Sequence, residues 1–291
     1  MDSVRKLADS EPDIDAIIHF AAYKAVAESV EEPLKYYHNN LVSLLNLLEI
    51  FKDAPMKFIF SSTCTVYGEI DICPVTEDAP RKVSKSPYGR TKQIAEEILE
   101  TVSSKRANLR VISLRYFNSA GGHPSGTIGD NSLGPPQNLI PCIAEAAIGK
   151  QPELTVHGND YNTHDGTAVR DYVHVMDVAR AHVAALKKLE SDNFHGSFHA
   201  FNLGTGIGNS VMDVVNAFEI STDVRVNYHF GPRRAGDVEQ IWADCSKAKF
   251  VLGWQACETL NDMVLSAWKW EQYLDNKQFD CTEIDEREDQ A

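Results

Sequence analysis

Ser86-Pro87-Tyr88-Gly89-Arg90-Thr91-Lys92 is the stretch that decides the interpretation of this chain, because it sets a phenol and an ammonium four residues apart in a predicted helix. Such a separation is about one turn, so both groups face the same way. Ser86 is a favourable N-cap and Pro87 suits the first helical position. The apolar face continues through Ile94, Ala95, Ile98, Leu99 and Val102. A lysine beside a tyrosine in a partly dry site is expected to lower the pKa of the phenol, as a general base near neutral pH requires.

Spacing alone does not separate a functional pair from a surface pair. Tyr273 and Lys277 have the same spacing, but they lie near a polar, acidic C-terminus with no apolar face to carry them inward. Without further context, both interpretations of Tyr88 and Lys92 remain open.

The preceding predicted strand supplies that context. Lys57-Phe58-Ile59-Phe60 runs directly into the hydroxyl cluster Ser61-Ser62-Thr63. Hydroxyls at the carboxyl end of a buried parallel strand lie where α/β sheets bind ligands, although a capped turn of serine and threonine is the alternative. The tyrosine, the lysine and a hydroxyl together resemble the triad of the short-chain dehydrogenase/reductase superfamily.

Length and charge limit the classes of function. The chain has 291 residues with 43% apolar content, enough for one large domain or two smaller ones. Its formal charge of -14 argues against nucleic acid and anionic membrane as partners. Six cysteines without a CxxC spacing indicate reduced thiols in a cytoplasmic protein, and the sequence shows no targeting or membrane-spanning segment. The histidines are scattered, and no metal site is predicted.

Strands and helices alternate along the first part of the chain. Strands are predicted over 14–20, 57–60 and 109–114, with helices over 33–51 and from Pro87 onward. This alternation predicts an α/β fold with a parallel sheet. Beyond Asn118 the chain becomes rich in glycine and proline, which is typical of a domain boundary. The later Gly204–Gly208 stretch imitates a dinucleotide fingerprint, but Asn209 replaces its third glycine, so we do not assign it to a cofactor.

A series of motifs carries a closer resemblance. They are His19-Phe20-Ala21-Ala22 with Lys24, Phe60-Ser61-Ser62, Thr65-Val66-Tyr67-Gly68, Ser86-Pro87-Tyr88-Gly89 with Lys92, Arg115-Tyr116-Phe117-Asn118, His123-Pro124-Ser125-Gly126, Val169-Arg170-Asp171-Tyr172, and Pro232-Arg233-Arg234 with Gly236-Asp237. In this order, over about residues 2 to 274, the chain resembles the UDP-glucose 4-epimerase family of extended short-chain dehydrogenases/reductases.

The resemblance implies that NAD+ takes hydride from C4 of a UDP-sugar while Tyr88 takes the proton from O4, and that hydride then returns to the other face. It implies catalytic roles for Tyr88, Lys92 and Thr63. The implied NAD contacts are Phe20, Ala21, Lys24, Asn39, Ser61, Tyr88, Lys92 and Tyr116. The implied UDP-sugar contacts are Thr63, Asn118, Asn138, Leu139, Arg170, Tyr172, Arg234, Asp237 and Ile241. A homodimer is also implied.

The implied architecture is an incomplete Rossmann-like parallel sheet with a smaller α/β substrate domain. Residues 1–118 would form a truncated NAD-binding domain with a returning segment near 169–190. Residues 119–274 would mainly bind the UDP-sugar, and 275–291 would be an acidic, disordered tail.

The sequence departs from the family at its start. The family begins with a strand, a glycine-rich turn and a helix, whereas no glycine precedes Gly68 here. We therefore expect the chain as written to lack the adenosine and pyrophosphate subsite, to fold poorly and to be inactive. A non-catalytic truncated paralogue or isoform that retains UDP-sugar binding or dimer contacts is the alternative. Sister 4,6-dehydratases need a carboxylate near the Thr63 position, and the neighbours Cys64 and Thr65 favour epimerisation instead.

Overall fold

The computed structural model describes residues 2–288 apart from 71, 133, 192, 235 and 236, and only the backbone of residue 2 and of 278–288. The chain forms two compact units. Unit 1 contains 1–117, 178–206 and 241–255, and unit 2 contains 118–177, 207–240 and the chain from 256 onward. None of the helices among the described residues is long and apolar enough to cross a membrane.

Unit 1 is built on a parallel four-stranded sheet. Its order is β1 (Ala16–His19), β2 (Met56–Thr63), β3 (Leu109–Tyr116) and β7 (Phe198–Leu203). The apolar runs at 14–20, 57–60 and 109–114 supply the first three strands, so the predicted parallel α/β sheet is confirmed. The strand β1 lies at one end of this sheet, with Ile18 41% exposed.

Helices cover this sheet because their apolar faces pack on its strands. Leu44 and Leu99 meet Phe58 and Val111 in one buried cluster, and each of these four side chains is almost fully buried. The helices of unit 1 are α1 (Asp2–Ser10), α2 (Val26–Glu31), α3 (Pro33–Ile50), α4 (Pro87–Lys105) and, from Val178 onward, α6 (Val175–Glu190). A 3-10 helix, Cys64–Tyr67, follows β2, and a π-helix spans Ala248–Leu252.

Unit 2 contains smaller sheets and three helices around a second core. Its strands are β4 (Asn118–Ala120), β5 (Leu154–His157), β6 (Val169–His174), β8 (Gly208–Ser210) and β9 (Tyr228–Gly231); β10 (Gln240–Ile241) begins in it. Strand β6 pairs in parallel with β4 and antiparallel with β8, while β5 pairs with β9. The helices are α5 (Leu139–Ile148), α7 (Val211–Thr222) and α8 (Leu260–Glu288).

The structure differs from the sequence-based expectation in three places. The hydroxyl cluster lies inside β2, which extends to Thr63, and a separate helix α2 precedes the predicted helix at 33–51. The strand β7 belongs to unit 1 because it pairs with β3, from Val111 opposite Phe198 to Tyr116 opposite Leu203. The predicted domain limits had assigned 198–203 to the other domain. The prediction of a disordered tail falls mainly on 278–291, which lies outside the residues with described side chains.

Candidate active site

The predicted N-terminus of α4 is confirmed in detail. The Ser86 Oγ accepts the backbone N–H of Gly89 at 3.1 Å, and Pro87 opens the helix. Gly89 is required because a Cβ there would lie 2.1 Å from the Ser84 Oγ. This close approach fixes the first turn of α4, and with it Tyr88.

Lys92 is a buried cation on the face of α4 that packs on the sheet. Its Nζ donates a hydrogen bond of 2.6 Å to the backbone carbonyl of Ser61 and lies 4.7 Å from the centre of the Phe60 ring. Burial lowers the pKa of Lys92 to about 8, although the carboxylate of Glu96 acts in the opposite direction. The ammonium is therefore held against β2 in a dry environment.

The pKa of Tyr88 is shifted in the direction opposite to the one predicted. Burial raises the pKa of Tyr88 to about 12, opposed by a hydrogen bond with the Thr63 hydroxyl. The expectation that Lys92 lowers this pKa is wrong for this structure. The physical reason is that the ammonium of Lys92 is directed at Ser61 on β2, so the loss of hydration dominates.

Thr63 and Tyr88 come from separate predicted elements, and the fold brings them together. Thr63 is the last residue of β2, and its Oγ1 accepts the backbone N–H of Thr65 at 3.3 Å. The same side chain acts to lower the pKa of Tyr88. The predicted hydroxyl thus influences the predicted base, while their catalytic roles stay predictions.

A second chain of hydrogen bonds joins Ser61 to α6. The Ser61 Oγ donates to the Tyr116 hydroxyl at 2.7 Å, and that hydroxyl lies 2.6 Å from Nε2 of His182. His182 was missed by the sequence analysis. Its partner Tyr116 is 66 residues away, and nothing in the alanine-rich helix sequence identifies that contact.

The segment after β1 carries several of the predicted NAD contacts. Phe20, Ala21 and Lys24 are exposed there, with the Phe20 ring centre 4.6 Å from that of His182. Asn39 is half-buried, and its amide donates to the side chain of Asn40 at 3.1 Å.

Asn40 was not singled out from the sequence, yet it holds this segment in place. Its buried side chain accepts the N–H of Tyr23 at 2.8 Å and donates to the carbonyl of Tyr23 at 3.0 Å. It also donates to the Thr91 hydroxyl at 3.1 Å. Asn40 on α3 therefore ties the loop after β1 to α4.

Glu96 acts on the pKa of Lys92 but has other partners, so the Lys92 ammonium stays available to a ligand. The carboxylate of Glu96 accepts hydrogen bonds from Ser62 and Ser113, both 2.7 Å, and forms an ion pair of 2.7 Å with Arg115. Burial acts to raise the pKa of Glu96, but the hydrogen bonds from Arg115 hold it below its ordinary value. Since Arg115 already neutralises this carboxylate, Lys92 is not committed to it.

The residues of unit 1 fit the nicotinamide-ribose half of NAD. Ser61, Tyr116 and the Phe20 segment occupy the carboxyl ends of neighbouring parallel strands, where α/β sheets bind ligands. Lys92 is a buried ammonium whose one described hydrogen bond goes to a backbone carbonyl, so it retains donors for ribose hydroxyls. Phe20, 58% exposed, offers an apolar ring nearby.

Most of the predicted UDP contacts lie in unit 2. The Arg170 guanidinium pairs with the Asp237 carboxylate at 3.2 Å, and both charges act on the buried Tyr172. Burial raises the pKa of Tyr172 to about 12. Asn118 is exposed and is the register partner of Tyr172 across β4 and β6.

The start of α5 gathers three more of these positions. Asn138 is the N-cap, and its amide donates to Asp130 at 3.3 Å rather than capping the helix. Leu139 is the first helical residue, and Arg234 is exposed. Burial raises the pKa of the Cys142 thiol, in the first turns of α5, and the charge of Arg234 acts in the opposite direction. Ile241 differs from the others because it is buried in unit 1.

One cluster resembles metal ligands but has other partners. The Nε2 of His164 lies 3.5 Å from Asp165 and 3.4 Å from Asp213. Asp213 completes a capping box with Ser210 at the start of α7, and Asp165 accepts hydrogen bonds from Thr167. Both carboxylates therefore have hydrogen-bonding partners within the protein.

Comparison with known proteins gives consistent matches over most of the chain. A family model described as GDP-mannose 4,6 dehydratase matches residues 2–266. The UDP-glucose 4-epimerase of Drosophila melanogaster is 48% identical over 262 residues, which is 90% of this chain and 75% of that protein. The UDP-glucose 4-epimerase of Bacillus subtilis (strain 168) is 47% identical over 271 residues, covering 92% and 79%.

Solved structures agree with these relatives. The UDP-glucose 4-epimerase of Stenotrophomonas maltophila, with bound NAD and formylated UDP-arabinopyranose, matches with a TM-score of 0.90 and 44% identity. The match covers 95% of this chain and 81% of that one. The UDP-glucose 4-epimerase of Bifidobacterium longum, in complex with NAD+ and UDP, matches with a TM-score of 0.87 and 41% identity, covering 94% and 80%.

Proposed function

Since the chain belongs to the UDP-glucose 4-epimerase family, we propose that it interconverts UDP-galactose and UDP-glucose at C4 of the sugar with NAD as its cofactor. The observation that carries this proposal is the buried ammonium of Lys92, one turn after Tyr88 on α4 and held on β2 at the Ser61 carbonyl, two residues before Thr63. When bound, NAD supplies reversible hydride transfer at its nicotinamide ring. The side chains of unit 1 bind and orient the reactants and move the proton.

Tyr88 is the proposed acceptor of the O4 proton. As C4 loses hydride, the O4–H bond breaks and its proton passes to the Tyr88 oxygen. The product forms when hydride returns to the opposite face of C4 and the proton returns from Tyr88 to O4. Because burial holds the pKa of Tyr88 at about 12, its phenolate must be stabilised before it accepts a proton. The Thr63 hydroxyl supplies one stabilising hydrogen bond, and Lys92 would supply positive charge once a ligand replaces its contact with the Ser61 carbonyl.

Epimerisation is favoured over dehydration by the chemistry around Tyr88. The groups that act on the pKa of this phenol are its burial, the Thr63 hydroxyl and the Cys64 thiol. Elimination of water across C5 and C6 needs a further acid and base, which sister 4,6-dehydratases have as a carboxylate near the Thr63 position, where this chain has Cys64 and Thr65. A site with one proton-transfer group suits oxidation and re-reduction at a single carbon.

The UDP moiety is proposed to bind through unit 2. Arg170 and Arg234 can match phosphate oxygens by charge and by their forked donors. The pairing of Arg170 with Asp237 orients the first guanidinium before a ligand arrives. The backbone N–H groups at the start of α5, after Asn138, add a further anion-binding element, since Asn138 makes no capping hydrogen bond.

Ile241 is proposed to set the tolerance for the substituent at C2 of the sugar. Its size lies between an aromatic and a small residue, so we expect UDP-glucose and UDP-galactose as main substrates with some room for N-acetyl sugars. The test compares kcat/KM for UDP-galactose and UDP-N-acetylgalactosamine in the wild type and in Ile241→Tyr. An unchanged ratio of the two constants would remove Ile241 from this role.

A homodimer in the cytoplasm is also proposed. Exposed apolar side chains on α3, among them Leu34 at 82% and Leu45 at 46%, support a partner surface on that helix. The proposal of the cytoplasm rests on the cysteine usage of the sequence, which has six cysteines without a CxxC spacing. Light scattering of the purified protein, with Leu34→Lys as the disrupting variant, tests the oligomeric state.

The test of the proposed activity measures the product as well as the rate. The purified chain is incubated with UDP-galactose with and without added NAD+, and UDP-glucose is quantified by NMR. We expect UDP-glucose as the product. A 4-keto-6-deoxy product would instead identify a dehydratase, and UDP-sugar binding without any conversion would support the non-catalytic alternative.

A further inference from the structure

His182 is a buried polar residue of unit 1 to which the proposed reaction assigns no role. It lies on α6, it is 4% exposed, and each of its ring nitrogens has a partner. Nδ1 is 2.8 Å from the carbonyl oxygen of Val178, one turn earlier on the same helix. Nε2 is 2.6 Å from the hydroxyl oxygen of Tyr116.

These two contacts determine where the ring proton lies. A carbonyl oxygen only accepts, so Nδ1 of His182 must carry the hydrogen that it donates to Val178. Burial lowers the pKa of His182, which favours the neutral ring, and in a neutral imidazole the other nitrogen is an acceptor. Tyr116 must therefore donate its O–H to Nε2.

The direction of the Tyr116–His182 hydrogen bond also fixes the direction of the hydrogen bond between Ser61 and Tyr116. Because the Tyr116 proton is committed to His182, the Tyr116 oxygen accepts the Ser61 O–H across 2.7 Å. The Ser61 hydroxyl proton is thereby used, and Ser61 Oγ presents only lone pairs to a ligand. The carbonyl of the same Ser61 holds the Lys92 ammonium, so one residue joins the two parts of the site.

We propose that His182 is a positioning residue that sets the direction of the Ser61–Tyr116–His182 hydrogen bonds, so that Ser61 accepts a hydrogen bond from the nicotinamide ribonucleoside half of the cofactor. A carboxamide N–H or a ribose hydroxyl has the required donor. The identity of this ligand rests on the proposed function, whereas the direction of the hydrogen bonds is a property of this chain alone.

A purely structural role would require only the shape of the ring. His182 packs against Phe20, with ring centres 4.6 Å apart, and an aromatic replacement would preserve most of that packing. The two roles therefore differ in what His182→Phe and His182→Gln should do. Phenylalanine keeps the ring and loses the acceptor, while the glutamine amide oxygen can accept from Tyr116 and the ring contact is lost.

The first test reads the tautomer directly and needs neither cofactor nor turnover. The protein is labelled with ¹⁵N-histidine, and the His182 signals are assigned by their loss in His182→Gln. We expect Nδ1 at the protonated resonance position and Nε2 at the unprotonated one at neutral pH. Protonation on Nε2 would reverse the Tyr116 hydrogen bond and overturn the proposal.

The second test is a double-mutant cycle on NAD+ affinity. We expect His182→Phe to weaken NAD+ binding about tenfold in the wild type, the equivalent of about one hydrogen bond, and less than about twofold in the Tyr116→Phe background. His182→Gln should recover most of the loss. Equal losses in both backgrounds, or better binding by the phenylalanine than by the glutamine variant, would show that the residue acts by packing.

The controls separate this inference from the proposed function. The Kd for UDP, whose proposed contacts lie in unit 2, should be the same in all five proteins and reports folding. A wild-type chain that binds no NAD+ would contradict the proposed function, while the tautomer measurement would still decide the role of His182.

Discussion

Two helices of this protein carry the same tyrosine and lysine spacing and use it in opposite ways. On α8, the exposed Lys277 turns back over the ring of Tyr273, with Nζ 4.9 Å from the ring centre. On α4, the buried Lys92 turns away from its own helix to the Ser61 carbonyl on β2. The local sequence pattern is shared, and the neighbouring strand accounts for the difference.

The comparison shows that the chemistry of a side-chain pair depends on what lies against the helix. Lys277 is exposed, and one of its short-range contacts is the ring one turn earlier. Lys92 faces a sheet whose strand supplies a carbonyl and an aromatic ring, and there its ammonium is partly dehydrated. Dehydration moves the pKa values of Tyr88 and Lys92 in opposite directions, each toward the neutral form.

The largest expected effect separates the two tyrosines by activity. In protein that converts UDP-galactose, Tyr88→Phe should lower kcat roughly 10²–10⁴-fold, the range of a lost proton-transfer group. The Kd for UDP should not change, because the contacts proposed for the nucleotide lie in unit 2. Tyr273→Phe is the matched control and should leave kcat unchanged. Near-normal turnover in Tyr88→Phe would remove this residue from the role of base.

The next effect concerns the pH dependence of stability, which is expected to differ between variants of Lys92 and of Lys277. The pKa of Lys92 is about 8 in the folded protein against an ordinary 10.5, so the unfolded chain binds more protons between these values. Stability therefore rises with pH in that window. Burying the charge costs about 3 kcal/mol below pH 8, and this cost disappears above 10.5.

Urea unfolding at pH 7.5, 9 and 10.5 measures this contribution. We expect the free energy of unfolding of the wild type to gain about 3 kcal/mol relative to Lys92→Met across the window. Lys277→Met should show a constant difference from the wild type. A flat difference for Lys92→Met as well would mean that its ammonium is hydrated in solution.

Local signals in the sequence predicted the helix and the strand that carry the site residues, but not the long-range contacts between side chains. The Ser86 cap and the first turn of α4 follow from short-range preferences and are confirmed. The predicted strand at 57–60 is also found, but β2 extends further, to Thr63. The contacts of Asn40 with Thr91 and of Tyr116 with His182 span 51 and 66 residues. Such pairings depend on how α3 and α6 pack on the sheet, which no local pattern specifies.

The sign of the Tyr88 pKa shift could not be predicted for a related reason. A neighbouring cation lowers the pKa of a phenol and dehydration raises it, so the result depends on the direction of the lysine side chain. The sequence places Lys92 on the correct face of α4. Only the fold shows that the carbonyl of Ser61 receives its ammonium.

A smaller effect tests the hydrogen bonds that hold the first turn of α4, which carries Tyr88. The Thr91 hydroxyl donates to the Tyr88 carbonyl at 2.7 Å and accepts from Asn40, which also holds both backbone groups of Tyr23. Asn40→Ala should cost about 2 kcal/mol, because two part-buried backbone groups of Tyr23 and the buried Thr91 hydroxyl each lose a hydrogen bond. Asn39→Ala is the neighbouring control and should cost under about 0.5 kcal/mol.

The same two variants separate a structural asparagine from a ligand contact. Thermal unfolding and the Kd for NAD+ are measured on both. If Asn39 contacts NAD as predicted, Asn39→Ala should weaken NAD+ binding while leaving Tm unchanged. A larger loss of stability in Asn39→Ala than in Asn40→Ala would contradict the roles that the structure gives to the two side chains.

The smallest expected effect is on the exposed pair itself. A cation over an exposed aromatic ring contributes about 0.5–1 kcal/mol, so a double-mutant cycle of Tyr273→Leu and Lys277→Met should give a coupling energy in that range. Tyr273 also stacks on Trp270, with ring centres 5.8 Å apart, and the cycle removes that contribution because it is common to both lysine backgrounds. None of these variants should alter turnover. A coupling above about 2 kcal/mol would mean that the spacing within a helix is sufficient to make a strong pair, and the contrast with Tyr88 and Lys92 would then not require the neighbouring strand.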